Sequence, residues 1–212
     1  MDTIKSKYHE TLAATVIKNL EKRQMEGYYC PTVEDAEKLA FSFLKDGQTV
    51  SFGGSMTLEE TGMLTALRHD PSIHLIDRST AKTPDETKKM YHALSSDVYF
   101  MSTNAITTGG ELVNIDGTGN RVAALIYGPE TVVILAGMNK IAANVDEALS
   151  RVHNVATAQN CIRLDKKTPC AITGACADCL SPDCICNQVV ITRRSGIKGR
   201  IKVLLIGESF GY

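Results

Sequence analysis

Short apolar runs alternate with amphipathic helical stretches through the first hundred residues, and few architectures accommodate that pattern. Ile4, Tyr8, Leu12, Val16, Ile17 and Leu20 recur at helical spacing, which predicts an opening helix. A strand at Tyr28 to Cys30 leads through Pro31 into a helix that begins at Thr32-Val33-Glu34-Asp35 and runs to Leu44. Thr49 to Phe52 is the next strand, Gly53-Gly54-Ser55 breaks it, and Thr57-Leu58-Glu59-Glu60 has the capping-box form of a helix start. Ile73 to Ile76 is again a strand. Thr83-Pro84-Asp85-Glu86 joins a second capping box to a proline at the first helical position, and the strand Val98 to Met101 follows that helix.

Beyond Gly110 the pattern changes to strands and turns. Glu111 to Ile115, Val122 to Tyr127 and Thr131 to Ala136 are expected as strands, joined by the turn chemistry of Asp116-Gly117-Thr118-Gly119-Asn120 and Gly128-Pro129. Asn144 starts a helix that reaches roughly Asn160, and Val189 to Thr192 and Ile201 to Ile206 are the last strands. Alternation followed by a run of strands predicts an α/β fold, a mixed and mostly parallel sheet with helices on both faces. A chain of 212 residues can bury a self-sufficient core, so residues 1–212 are expected to form a single domain.

Composition removes several function classes. The 23 Lys+Arg against 24 Asp+Glu leave a net charge of -1, and tryptophan is absent, so neither polyanion binding nor a stacking platform for nucleic acid is supported. Val122 to Tyr127 is cut short by Gly128-Pro129-Glu130, far below the ~20 apolar residues of a membrane span. The first residues lack a secretory pattern, so the expected location is cytoplasmic.

In open α/β sheets ligands bind beyond the carboxyl ends of the strands, which directs attention to two junctions. At the first, Gly53, Gly54, Ser55 and Thr57 would offer backbone donors to an anion at a helix start, or would be no more than a turn with its cap. At the second, Asn104, Thr108 and Glu111 surround a hydroxyl- and glycine-rich bend, and Asp116 and Arg121 flank the next turn. Arg121 is expected to pair with a ligand carboxylate, and Glu111 or Asp116 to act as general base; the plain alternative is an Asp-Gly hairpin with a solvated edge arginine. No phosphate-loop, flavin or nicotinamide fingerprint is present, and no Gly-x-Ser-x-Gly elbow. The basic run Arg193, Arg194, Lys198, Arg200 and Lys202 reads as a charge-guarded edge hairpin.

Five of the seven cysteines, Cys170, Cys176, Cys179, Cys184 and Cys186, crowd into residues 168–187, a segment with Pro169, Gly174 and Pro182 and no period, hence a loop or small lobe. The Cys176-x2-Cys179 pair suits zinc or an iron-sulfur cluster, while reduced thiols in an ordered loop is the alternative.

Ser51-Phe52-Gly53-Gly54-Ser55-Met56-Thr57, the stretch Thr103 to Leu112, and Asn120-Arg121-Val122 with the following Gly128-Pro129 and Val132-Val133-Ile134 resemble the lactate-utilization (LUD) domain proteins. The resemblance runs over nearly the whole chain, and the tail is similar to a cysteine-bearing short branch of that family. It implies a fold of the ribose-5-phosphate isomerase and coenzyme A transferase type, related to formyltetrahydrofolate cyclo-ligase. It also implies a link to oxidation of lactate to pyruvate alongside iron-sulfur oxidoreductase partner subunits. Within that branch Cys184 is the supernumerary thiol, and Cys170, Cys176, Cys179 and Cys186 are the expected metal ligands.

Three readings follow. The first is an accessory component of 2-hydroxy acid oxidation that binds a small anionic metabolite and carries a metal or cluster. The second is a stand-alone enzyme acting on a phosphorylated or thioester metabolite. The third is a metal-stabilised binding or regulatory module without chemistry.

Overall fold

The computed structural model describes residues 3–212. Six strands form one all-parallel sheet in the order β1-β10-β7-β4-β2-β3, where β1 is Glu26–Cys30, β2 Thr49–Phe52, β3 His74–Ile76, β4 Val98–Met101, β7 Thr131–Gly137 and β10 Ile201–Ile206. The central strands are apolar on both faces because both are covered. Val132, Ile134 and Ala136 of β7 point into a core beneath helix α1, Thr3–Lys22, whereas Val133 and Leu135 point the other way. There they meet α2, Val33–Phe41, and the helix pair α3, Met56–Glu60, and α4, Met63–His69. The α/β class read from the sequence is therefore the architecture observed.

Four further strands make a second sheet instead of extending the first. β5, Ala105–Thr107, and β6, Leu112–Asp116, pair antiparallel, with β8, Ile141–Ala142, parallel on one side and β9, Gln188–Thr192, antiparallel on the other. β9 and β10 are thus in different sheets, and the expected basic edge hairpin between them does not form. Arg200 and Lys202 turn inward, Lys202 onto Glu26 and Arg200 onto backbone carbonyls.

Those carbonyls explain the clearest departure from the sequence reading. Val122 to Tyr127, expected as a strand, lies in α6, Asn120–Ile126. A six-residue apolar run does not distinguish a strand from a buried helix by period alone. Polar groups at its ends decide it. The Asp116 carboxylate accepts from the backbone N–H of Arg121 and of Val122 at 3.1 and 3.2 Å, so Asp116 caps the helix and no Asp-Gly hairpin exists. At the other end Arg200 donates to the carbonyls of Ala124, Leu125 and Pro129. Gly128, which follows, has φ +115°, and a Cβ there would overlap the Leu94 carbonyl. Gly128→Ala is expected to cost at least about 2 kcal/mol of stability, read as a lower urea midpoint at unchanged m.

The second capping box is present: Glu86 N–H donates to Thr83 Oγ1 at 3.2 Å and Thr83 N–H to the Glu86 carboxylate at 3.1 Å, at the start of α5, Pro84–Lys89. The first is displaced by two residues. Ser55, not Thr57, caps α3 through a bond from Leu58 N–H, and Thr57 is buried. The helix from Asn144 is capped by that residue as expected, but it divides into α7, Val145–Arg151, a π-helical turn over Val152–Thr157, and α8, Ala158–Arg163. A short helix α9, Pro169–Thr173, opens the cysteine-rich segment.

Candidate functional site

The carboxyl ends of the parallel strands open into a cavity of about 460 Å³. Four of the six strands contribute residues past their ends: Gly54, Ser55 and Thr57 after β2, Arg78 after β3, Ser102 to Asn104 after β4, and Lys140 after β7. The π-helical turn supplies Ala156 and Thr157 on the far wall, a placement in keeping with the tendency of such turns to sit at functional sites.

Lys140 is the most unusual group there. It is only 3% exposed, yet its ammonium donates to hydroxyls alone, Thr57 Oγ1 at 2.8 Å and Ser102 Oγ at 3.0 Å. No carboxylate pairs with it among the described residues. Burial, reinforced by the nearby Arg151 and Arg121 charges and opposed by Glu60, pulls its pKa down to about 7. The loop is clamped from behind by Arg151, which donates to the Asn139 carbonyl at 3.0 Å and to that of Asn104 at 2.7 Å.

Arg121 serves the frame of the cavity. It is 9% exposed, and its guanidinium donates to the carbonyls of Ser102 and Ile115 and to the side-chain oxygens of Asn104 and Asn114. The fifth donor, Nε, faces Asp116 at 3.9 Å. With four acceptors engaged, it has no parallel pair of donors left for a ligand carboxylate, contrary to the role expected of it. The cavity wall nevertheless carries five cationic side chains, Arg78, Arg121, Lys140, Arg163 and Lys166, against one side-chain carboxylate, Asp116. Of these Arg78 is exposed and its side chain has no hydrogen-bond or ion-pair partner among the described residues, and its guanidinium lies 3.8 Å from where a Gly54 Cβ would stand.

A profile of the LUD domain matches residues 13–206. The chain belongs to the LUD domain family. Among solved structures, a DUF162 family protein from Deinococcus radiodurans is similar in fold, with a TM-score of 0.52 at 10% identity over 93% of this chain and 98% of that one. Two eIF2B subunits from Chaetomium thermophilum match about half of each chain. The delta subunit has a TM-score of 0.34 at 20% identity (52% of this chain, 48% of that one), and the beta subunit 0.38 at 14% (54% and 44%). No curated protein matches the chain.

In this LUD domain Gly54, Ser55, Thr57, Asn104, Asp116 and Arg121 all line the cavity. Gly53 stands just behind it, where a Cβ would press on the Tyr99 hydroxyl and on the Arg121 side chain at 2.9 and 3.0 Å. Thr108 and Glu111 do not line it. Thr108 donates to the Ala143 carbonyl, and Glu111 binds Arg23 and Thr107 beside a second hollow lined by Asn19, Lys22, Arg23, Gly109, Arg193 and Arg194. The β5–β6 bend carries both away from the strand ends, so Glu111 is not placed to act as a base there. Lys140 and Arg78 were missed by the sequence reading, although the same rule of strand ends identifies them once the ends of β3 and β7 are inspected as closely as those of β2 and β4.

The thiols of the LUD domain's tail are divided. Cys170 packs with Cys161, Cys176 lies 3.7 Å from His153 Nδ1, and Cys186 N–H donates to Cys184 Sγ at 3.3 Å. Burial pushes the Cys186 thiol up to about 12, which favours the protonated form. Among the described residues no group of three or more His, Cys, Asp or Glu stands where it could hold one metal ion, so Cys170, Cys176, Cys179 and Cys186 do not fit a preformed centre.

Proposed function

We propose that this LUD-domain protein binds a small anionic metabolite, a carboxylate or phosphate, at the strand-end cavity and works as an accessory component of 2-hydroxy acid (lactate) oxidation in the cytoplasm. The observation that carries the binding part is the excess of basic side chains on the wall, above all Arg78, whose side chain has no partner among the described residues, in the same cavity as a buried Lys140 with only hydroxyl partners. An anion there would gain charge-assisted hydrogen bonds from Arg78 in a partly dehydrated site. Family membership supplies the lactate connection. The absence of flavin and nicotinamide fingerprints supports a role beside iron-sulfur oxidoreductase subunits that handle the electrons.

Titration calorimetry with phosphate, oxalate and lactate tests this reading. At least one should bind, and Arg78→Ala should weaken it about tenfold, the worth of one charge-assisted contact. Equal affinity in wild type and variant, or no binding of any of the three, would remove the site.

Zinc or an iron-sulfur cluster on the tail is a separate proposal. Five thiols between Cys170 and Cys186 support it, and their separation means that the segment would have to refold around the metal. Anaerobic metal analysis decides it: one equivalent lost in Cys176→Ser supports the proposal, and a metal-free wild type ends it.

A further inference from the structure

The hydrogen bonds around Lys140 fix the roles of its partners. Thr57 Oγ1 donates to the Phe210 carbonyl at 3.3 Å, and Ser102 Oγ donates to that of Thr103 at 3.3 Å. Each hydroxyl has one proton and has committed it, so each must accept from Lys140. In the neutral amine both N–H groups are then used and the third position on Nζ carries the lone pair. Burial and the neighbouring arginines favour that neutral form near physiological pH. No carboxylate competes for the nitrogen among the described residues, and the residue lines the cavity. A desolvated, oriented primary amine with a low proton affinity, facing a cationic pocket, is the arrangement of an amine nucleophile toward a carbonyl group.

We infer that Lys140 forms an imine with the carbonyl carbon of a small anionic oxo compound held in this cavity, an inference that rests on the anion-binding reading above. The lone pair on Nζ attacks the carbonyl carbon while the carbon–oxygen π electrons move to oxygen, which takes up a proton released from nitrogen. The resulting carbinolamine loses its hydroxyl with a second nitrogen proton, as water, and the C=N bond forms. The two nitrogen protons and the carbonyl oxygen together make the one water released, so no oxidant or reductant is needed. The anionic group, carboxylate or phosphate, is placed by Arg78. Once formed and protonated, the imine withdraws electrons from the adjacent carbon, which suits enolisation or carbon–carbon bond cleavage.

Reductive trapping tests the inference. Wild-type protein is incubated with cyanoborohydride and pyruvate, glyceraldehyde 3-phosphate or neutral hydroxyacetone, just above the pKa of Lys140, then digested and mapped by mass spectrometry. The expected result is an adduct on Lys140 at least about tenfold above any other lysine with one of the anionic carbonyls, and little with hydroxyacetone. Preference for pyruvate would assign the anion as a carboxylate, and preference for the triose phosphate as a phosphate. Arg78→Ala should reduce the anionic adduct about tenfold and so narrow its excess over that of hydroxyacetone. Oxalate or phosphate that still raises the melting temperature, with Lys140 labelled no faster than surface lysines, would overturn the imine and leave the anion site standing. If neither anion binds nor Lys140 is labelled, both readings fall. Lys140→Met should lose the adduct; should that variant not fold, the wild-type peptide map decides alone.

Discussion

Replacement of Arg121 by methionine is expected to destabilise the protein by about 3–5 kcal/mol, although the side chains have similar length. The guanidinium holds together segments far apart in sequence: the Ser102 and Asn104 loop after β4, Asn114 and Ile115 in β6, and its own helix α6. Without it the carbonyls and amide oxygens lose their donors in a buried setting, and the Asp116 carboxylate loses its neighbouring charge. In a domain of this size that corresponds to a fall of roughly 10 °C in Tm. Arg121→Lys should recover little, because one ammonium cannot span four acceptors arranged around a planar fork. A loss below about 1 kcal/mol on urea denaturation would show that the latch is not what holds the cavity together.

Lys140→Met is expected to do the reverse in part of the pH range. In the folded protein Lys140 protonates only near pH 7, whereas in the unfolded chain it protonates below its ordinary value of 10.5. Between those limits the unfolded state binds one more proton, so wild-type stability rises with pH by up to about 1.4 kcal/mol per unit. Below pH 7 the cost of the buried amine is fully present, and above 10.5 it is gone. The methionine variant should lack this rise and be the more stable protein near neutrality, while losing the imine adduct. Such a trade of stability for function is common at binding sites. Parallel stability–pH curves for the two proteins across that window would contradict the placement of Lys140.

The first half of the fold was legible because its signals are local. Strands β2 and β4 match their expected limits, and the Thr83 capping box and the Asn144 cap are where the sequence puts them. The misread element, α6, is settled at both ends, by Asp116 just before it and by Arg200, remote in sequence, which reaches its last turn. Nothing between Val122 and Tyr127 carries that information. The separation of the two sheets was illegible for a related reason, since alternation reports which residues face a core but not which strand pairs with which. At the strand ends, both glycine-rich junctions lead into the cavity, through Gly54 to Thr57 and through Ser102 to Asn104. Of the residues that give it chemical character, Arg78 follows β3 and Asp77 without any glycine signal, and Lys140 comes three residues after Gly137, the single glycine that ends β7. Glu111 misled because its bend resembles a ligand loop, whereas its carboxylate is tied to Arg23 of the opening helix's end.

Hydrogen exchange across the whole chain, with and without saturating phosphate or oxalate, tests the central claim most directly, because two basic hollows compete for the ligand. Binding at the strand ends predicts slowed exchange in residues 53–58, 77–80, 102–104 and 138–141, with little change in residues 107–111 and 193–195. Protection concentrated instead around Arg23, Gly109 and Arg193, or none anywhere under saturating ligand, would contradict the account.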